Sequence, residues 1–492
     1  MNLGIVDSKI EYKIQNIPYD RSLLKSRIVH FGFGAFHRSH QALFTSELLG
    51  LEQGDWGICE INLFEKDQIE KLRQQNHEYT VLEKGSDFYT LKHSVAITES
   101  LHPELDGCQA ILSKLTEEQV AIVSLTITEK GYCADFTQGR LDVSHPMIQE
   151  DLLHPQQPSS IIGYIVEGLR LRQIKNISAF SVLSCDNINN NGHIAKAVIL
   201  DYAKLIDGSL ATWIEENVTF PCTMVDRITP AVEVKDRNDI SEILGYDDPC
   251  GVVCEPFRQW VIEDKFVNGR PNWNKVGAQF VNDVAPFEEM KLRMLNGSHS
   301  FMAYMGNLAG FDYISEVMLN DDYRTAVSEL MLNEQGASLK MPDGVNLDNY
   351  ANSLIERFCN PNLQHRTWQI AMDGSQKIPP RFCESLRVLK DQNKSAKWLV
   401  LGIAAWMKYV GRCNDLNQSI DVIDPLVDQF DDIYRKSGSN EQVVLSLLNI
   451  ESIFGSDISN DLLIRSEILD MYELLDKEGS KKAIQFVMSK NN

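Results

Sequence analysis

Arg27-Ile28-Val29-His30-Phe31-Gly32-Phe33-Gly34-Ala35-Phe36-His37-Arg38-Ser39-His40-Gln41-Ala42-Leu43-Phe44 reads as a strand, a glycine turn and a helix in direct succession. In a dinucleotide-binding fold the first glycine of such a turn makes the reversal. The second lets the main chain approach a pyrophosphate at the helix N-terminus. The third glycine of the usual G-x-G-x-x-G is His37 here, so the match is partial. A lone G-x-G is weak evidence, and its placement after a strand and before a helix is what strengthens it.

Outward from this turn the α/β pattern continues. Trp56-Gly57-Ile58-Cys59-Glu60-Ile61-Asn62-Leu63 predicts a second strand, ending near Glu65 and Asp67. A carboxylate at that strand end would hydrogen-bond an adenosine ribose and repel a 2′-phosphate, favouring NAD over NADP. Either acid meets the requirement, and both are equally consistent with a surface loop. Val120-Ala121-Ile122-Val123-Ser124-Leu125-Thr126-Ile127-Thr128 suits a strand covered on both faces, as in a parallel sheet, with Glu129 just beyond it. A helix over Ile161–Arg172 and a strand over Ala179–Ser184 follow, then Cys185-Asp186-Asn187 and a helix from Ile194. Asn187 lies where α/β folds place active residues, although Asn and Asp also form turns readily. Val225-Asp226-Arg227 marks another strand end.

Residues 1–25 carry little pattern and read as a lead-in. Near Val284-Ala285-Pro286 strand signals become sparse, and helical periodicity dominates from Glu288 onward, as in Trp398–Val410. At 492 residues the chain is too long for one core. The expected fold class is α/β, with a Rossmann-like dinucleotide-binding domain over 1–285 and a mostly α-helical domain over 286–492. Clefts between domains are the usual place for small-molecule sites.

A net charge of −22 argues against nucleic acid as a partner, because phosphate binding needs a basic surface. It also means that an anionic small substrate needs a local basic pocket. No run of about 18 apolar residues appears, and the first 20 residues carry Asp7, Lys9, Glu11 and Lys13. These features predict neither a membrane span nor a signal peptide. The 10 cysteines lack framework spacing, and Cys250 and Cys254 have no second pair or nearby histidines to complete a zinc site. Reduced thiols in a cytoplasmic protein without a metal are the expectation, as a monomer or small homo-oligomer.

The helical half opens with Pro286-Phe287-Glu288-Glu289-Met290-Lys291-Leu292-Arg293-Met294-Leu295-Asn296-Gly297-Ser298-His299-Ser300-Phe301-Met302. On a regular helix Glu288, Lys291, Asn296 and His299 fall within an arc of about 140°, opposite Met290, Met294 and Phe301. An ordinary solvated face is usually repetitive Glu and Lys. A carboxylate, an amine, an amide and an imidazole together suggest chemistry. Further on, Arg366, Lys377 and Arg381 surround an Asp373-Gly374-Ser375 turn and offer a candidate anion site; a solvated loop after a helix explains them equally.

The stretches R-I-V-H-F-G-F-G-A-F-H-R-S-H-Q, S-L-T-I-T-E-K-G-Y, S-C-D-N, F-P-C-T-M-V-D-R-I-T-P and K-L-R-M-L-N-G-S-H together resemble the polyol-specific long-chain dehydrogenases, or mannitol dehydrogenase family, over nearly the full chain. Within it, E-P-F-R-Q-W-V-I-E-D and H-R-T-W-Q-I-A-M-D-G-S-Q-K look closest to the fructuronate reductases. The resemblance implies an NAD-dependent, metal-independent interconversion of a secondary alcohol and a ketone, here a sugar acid. It implies Lys291 as general acid/base, Asn187 and Asn296 holding the reacting oxygen, His299 beside them, and Glu288 passing protons. Cofactor contacts carry over to Gly32, Gly34, Phe36 and Glu129, and substrate contacts to Asp226 and Lys377. Mannitol 2-dehydrogenases have an arginine where this chain has Gln369, which leaves Arg366 and Arg381 as candidates for a substrate carboxylate.

The chemistry suits these residue types. Ketone reduction needs a hydride on carbon and a proton on the developing alkoxide, and a desolvated lysine can give that proton. Neutral amides stabilise the oxyanion without competing for it. Lys291 and His299 are about 12 Å apart along a regular helix. Either the helix bends or ends at Asn296-Gly297, or His299 acts by orienting substrate or tuning the lysine. A neutral polyol–ketose pair, tagaturonate with altronate, or a silent NAD sensor are the competing readings.

Overall fold

The computed structural model describes residues 3–6 and 10–490; Asp7 and Lys9, part of the reading against a signal peptide, lie outside them. The quoted strand is the middle of a five-stranded parallel sheet. Its strands are β1 (Lys25–Phe31), β2 (Trp56–Ile61), β3 (Ile97–Leu101), β4 (Ile122–Leu125) and β5 (Ser181–Ser184). They lie in the order β3-β2-β1-β4-β5. The chain works outward from β1 to β3, then returns to place β4 on the other side of β1. That reversal is the topological switch point beside which doubly wound sheets bind their ligands.

The sheet's residues explain its burial. Alternation along a strand sends Val29, Phe31, Ile61, Val123, Leu125 and Val182 into one apolar cluster. It sends Ile28, Ile58, Ile97, Ile122 and Leu183 into another on the opposite face. Both faces are covered, which is why these strands read as continuous apolar runs.

Three local expectations need correction. The helix after the glycine turn is two helices, α1 (Ala35–Ser39) and α2 (Gln41–Leu51), separated by His40 at φ −119°, ψ −97°. The His40 imidazole is buried against Phe36, Phe44 and Trp260, and that packing sets the break. The long β-branched run is strand only over Ile122–Leu125, because the Asp186 carboxylate takes the Ile127 and Thr128 N–H groups and Thr128–Gly131 turns helical. The lead-in is structured: Leu3–Val6 and Ile10–Gln15 join Phe88–Ser94, Tyr79–Lys84 and Val252–Cys254 in a second sheet. The Ile10–Gln15 strand pairs with Phe88–Ser94, a partner no local pattern reveals.

Two compact units emerge, Met1–Ala285 and Pro286–Asn492. The second is helical among its described residues. It opens on α3 (Ala285–Met290), and its core is α4 (Ser298–Ala309) packed on α5 (Lys397–Val410). Phe301, Met302, Tyr304 and Met305 of α4 are fully buried, as are Leu401, Ala405 and Trp406 of α5. No helix among the described residues is long and apolar enough to cross a membrane. All ten cysteines are free thiols.

Candidate active site

The glycine turn separates two roles. Gly32 sits at φ +112°, and a Cβ there would lie 2.1 Å from the Thr126 carbonyl oxygen, so only glycine lets β1 turn against β4. At Gly34, the N-cap of α1, a Cβ would meet nothing within 4 Å. The main chain at Gly34 is therefore open to a ligand while Gly32 fixes the turn. An open glycine at a switch point is what a dinucleotide pyrophosphate requires, so this part of the chain fits the cofactor.

His37 stands in place of the third glycine and faces inward. Its ring stacks on His30 of β1, centroids 3.4 Å apart and 13° from parallel. His37 Nε2 also lies 3.0 Å from Glu60 Oε2, both side chains fully buried. The alignment leaves both atoms without a satisfied hydrogen bond. Burial holds His30 and His37 down to about 3 and pushes the Glu60 carboxyl up to about 7. Among the described residues these three form a group whose ligand atoms all lie within 4.8 Å of one another. They fit a metal poorly. An ion about 2.0–2.1 Å from a nitrogen should lie in the plane of each ring it binds, which two stacked rings do not allow. His30 is also committed elsewhere: Nε2 donates to the Gly32 carbonyl at 3.1 Å, and Nδ1 faces Ser124 Oγ at 2.7 Å. His30 thereby ties the glycine turn to β4.

Around the same sheet edge, Asp186 ties Ile127, Thr128 and the Tyr132 hydroxyl together, at 3.1, 2.9 and 2.8 Å. This orders the turn that carries exposed Glu129. Asn187 follows Asp186 and is exposed. Phe36 of α1 is half-buried, and its ring stacks on His40. Asp226 ends the strand Thr223–Asp226 and is buried. The second strand stops at Ile61, so Glu65 and Asp67 lie beyond its end, exposed, at the start of the helix Lys66–Gln74.

In the second unit, Lys291–Gly297 is a π-helical turn inserted between α3 and α4. This corrects the regular helix. Met290 and Ser298 on either side are helical, so the helix does not stop at Gly297. On a regular helix Lys291 and Asn296 are the two extremes of the polar arc, about 140° apart. A turn closed by i→i+5 bonds takes more residues to come round, which brings residues five apart toward one face. Lys291 and Asn296 are such a pair. Glu288, Lys291, Asn296 and His299 are all half-buried.

His299 packs between Phe358, at 4.6 Å, and the edge of His365, at 5.2 Å. Its Nε2 is buried without a hydrogen-bond partner. Burial, with His365, Arg357 and Arg381 nearby, holds its pKa well below the usual imidazole range. His299 is therefore a neutral group. The three cations of the D-G-S region have separate partners. Arg366 is exposed, its guanidinium 5.1 Å from the Tyr313 ring centroid. Lys377 Nζ donates to the Ile370 carbonyl at 3.2 Å, and burial with Arg381 lowers its pKa. Arg381 Nη1 donates to the Asn296 carbonyl at 3.2 Å and lies 2.9 Å from Ser300 Oγ. Residues that no motif flagged complete the setting: Glu60 under the glycine turn, Phe358 against His299, and Ser300 and Gln335 around the π turn. Their partners lie far away along the chain, so no local signal exists for them.

The family model for the mannitol dehydrogenase Rossmann domain matches residues 26–275, and that for the mannitol dehydrogenase C-terminal domain matches 283–476. The chain is 50% identical over 483 residues to the D-mannonate oxidoreductase of Escherichia coli K12, covering 98% of this chain and 99% of that protein. Among solved structures, a substrate-free D-sorbitol dehydrogenase superposes with a TM-score of 0.91 at 32% identity, over 96% of this chain and 97% of that one. Pseudomonas fluorescens mannitol 2-dehydrogenase, solved with NAD and D-mannitol, gives 0.77 at 34% identity, over 97% of each chain. A parallel sheet in the order β3-β2-β1-β4-β5 and two family models spanning most of the sequence agree: the chain is an oxidoreductase that belongs to the mannitol dehydrogenase family.

Proposed function

We propose that this chain is an NAD-dependent oxidoreductase interconverting D-mannonate and D-fructuronate in the cytoplasm. Residues 1–285 hold the cofactor, and 286–492 carry Lys291 and the other proton-transfer groups. The observation that carries the substrate is the 50% identity, end to end, with a D-mannonate oxidoreductase. The open main chain at Gly34 supports the cofactor. NAD, when bound, supplies the hydride chemistry, so the protein's part is binding, alignment and proton transfer.

In the reduction direction Lys291 Nζ gives its proton to the oxygen of the ketone as that oxygen becomes an alkoxide. The side-chain amide of Asn296 donates a hydrogen bond to that oxygen, stabilising its developing charge, and Asn187 is the second amide that the family resemblance assigns to this role. Glu288, one helical turn before Lys291, returns a proton to the amine. His299 is neutral and holds a ring nitrogen without a protein partner, so it suits a substrate hydroxyl and not a second acid. Asp226 takes another hydroxyl, and Lys377 and exposed Arg366 are the cations for the carboxylate. Glu65 or Asp67 takes the adenosine ribose.

The test is a comparison of initial rates on fructuronate, tagaturonate and fructose with NADH and with NADPH. Highest kcat/KM on fructuronate with NADH is expected. A preference for fructose or tagaturonate, or equal use of NADPH, contradicts the reading.

A further inference from the structure

The Lys291–Gly297 turn does not stand alone. Two further π-helical turns, Leu330–Gln335 and Pro379–Cys383, pack against it. Single π turns are uncommon and are found mostly at functional sites; here three meet. Gly297 lies against both of the other turns. A Cβ on it would lie 2.3 Å from Gln335 Nε2, in the second turn, and 3.1 Å from the Arg381 carbonyl oxygen, in the third.

Polar contacts then fix the arrangement. Ser298 Oγ donates to Gln335 Oε1 at 2.9 Å. Arg293 Nη1 donates to the Ser338 carbonyl at 2.8 Å, just past the second turn. From the third turn, Arg381 Nη1 reaches both the Asn296 main-chain carbonyl and the Ser300 hydroxyl. These two acceptors flank the stretch that carries the Asn296 amide and the His299 ring. Ser300 and Gln335 are fully buried. A charged donor spanning two acceptors in such a site is worth more than a neutral hydrogen bond.

We infer that Arg381 is a positioning residue. It clamps the π turn through the Asn296 carbonyl and Ser300, so that the side chains of Lys291 and Asn296 are presented on one face, and it does not serve the substrate carboxylate. The inference rests on the proposed roles of Lys291 and Asn296. Arg381→Lys keeps the charge but replaces the flat guanidinium with a single ammonium, and Arg381→Gln removes the charge.

The experiment measures kcat and KM for Arg381→Lys, Arg381→Gln, Ser300→Ala and the double variants, with NADH affinity from its fluorescence. It uses whichever ketone the unaltered enzyme reduces, so a wrong substrate assignment shows in the unaltered enzyme and leaves this comparison intact. Clamping predicts a loss of about 10²-fold in kcat for Arg381→Gln, as expected when reacting groups are displaced by about 1 Å. It also predicts less than about threefold change in KM, unchanged NADH affinity and partial recovery in Arg381→Lys. Ser300→Ala should lose about 3–10-fold in kcat, and less on top of Arg381→Gln than alone, because the two act through one contact. A rise in KM above about tenfold with kcat intact would make Arg381 a substrate contact and overturn the inference. If Arg381→Gln does not fold, Ser300→Ala decides: unchanged kcat in that variant also overturns it.

Discussion

Gly297→Ala is the substitution on which the account of the π turn can be worked through in numbers. Gly297 is helical, at φ −65°, ψ −47°. Alanine at an ordinary helical glycine stabilises by about 1 kcal/mol. Here the added methyl would sit 2.3 Å from Gln335 Nε2 and 3.1 Å from the Arg381 carbonyl oxygen, against a normal contact of about 3.5–4.0 Å. The Gln335 amide cannot simply swing aside, because the residue is fully buried and its Oε1 accepts from Ser298. Overpacking of this kind destabilises by about 1–3 kcal/mol, which outweighs the helix-propensity gain. The expected net loss is about 1 kcal/mol in urea denaturation, with kcat lower by about 10²-fold because the turn bearing Lys291 and Asn296 must move. Gln335→Ala in the same chain removes the clashing amide, and the double variant should recover part of both losses. A Gly297→Ala protein that is more stable and equally active would refute the reasoning, since that is how a helix with nothing packed on it behaves.

The remaining predictions concern the first unit. Gly34→Ala should leave the thermal midpoint nearly unchanged, because a Cβ there would meet no protein atom within 4 Å, while NADH affinity falls at least about tenfold; a fluorescence titration with wild-type affinity would contradict the cofactor site. Glu60, buried with a pKa raised from 4.5 to about 7, stabilises the fold below its unfolded pKa and loses that contribution as pH rises through about 7. The difference of 2.5 units sets a ceiling of about 3 kcal/mol. His30 and His37, held down to about 3 from 6.5, lose theirs in the opposite direction as pH falls below 6.5. Glu60→Gln should therefore gain stability relative to the unaltered protein as pH goes from 5 to 8, read from midpoints by calorimetry; a constant offset across that range would refute it.

What could be read before the structure was what is encoded locally. The glycine turn, the β-branched runs and the change to helical periodicity each announce themselves within a dozen residues. The helix break at His40 did not, because Phe36, Phe44 and distant Trp260 create it. Glu60 looked like one polar residue in a strand until His37 came to lie beside it. The π turn was equally hidden. Lys291-Leu292-Arg293-Met294-Leu295 are all good formers of a regular helix, and the packing that accompanies the wider turn comes from Gln335 and Arg381, dozens of residues downstream. Motif spacing found the chemical groups, but a 3.6-residue period placed Lys291 and Asn296 too far apart around the axis. Periodicity put both on one polar face, at the two ends of its arc, and the resemblance to a family supplied their pairing.

The central claim is that Lys291 moves the proton during ketone reduction. Steady-state oxidation of NADH with fructuronate by Lys291→Ala, beside a fluorescence titration of NADH, tests it most directly. Losing a general acid is expected to lower kcat by about 10²–10⁴-fold, with NADH affinity intact. Turnover at the unaltered rate in that variant would contradict the account.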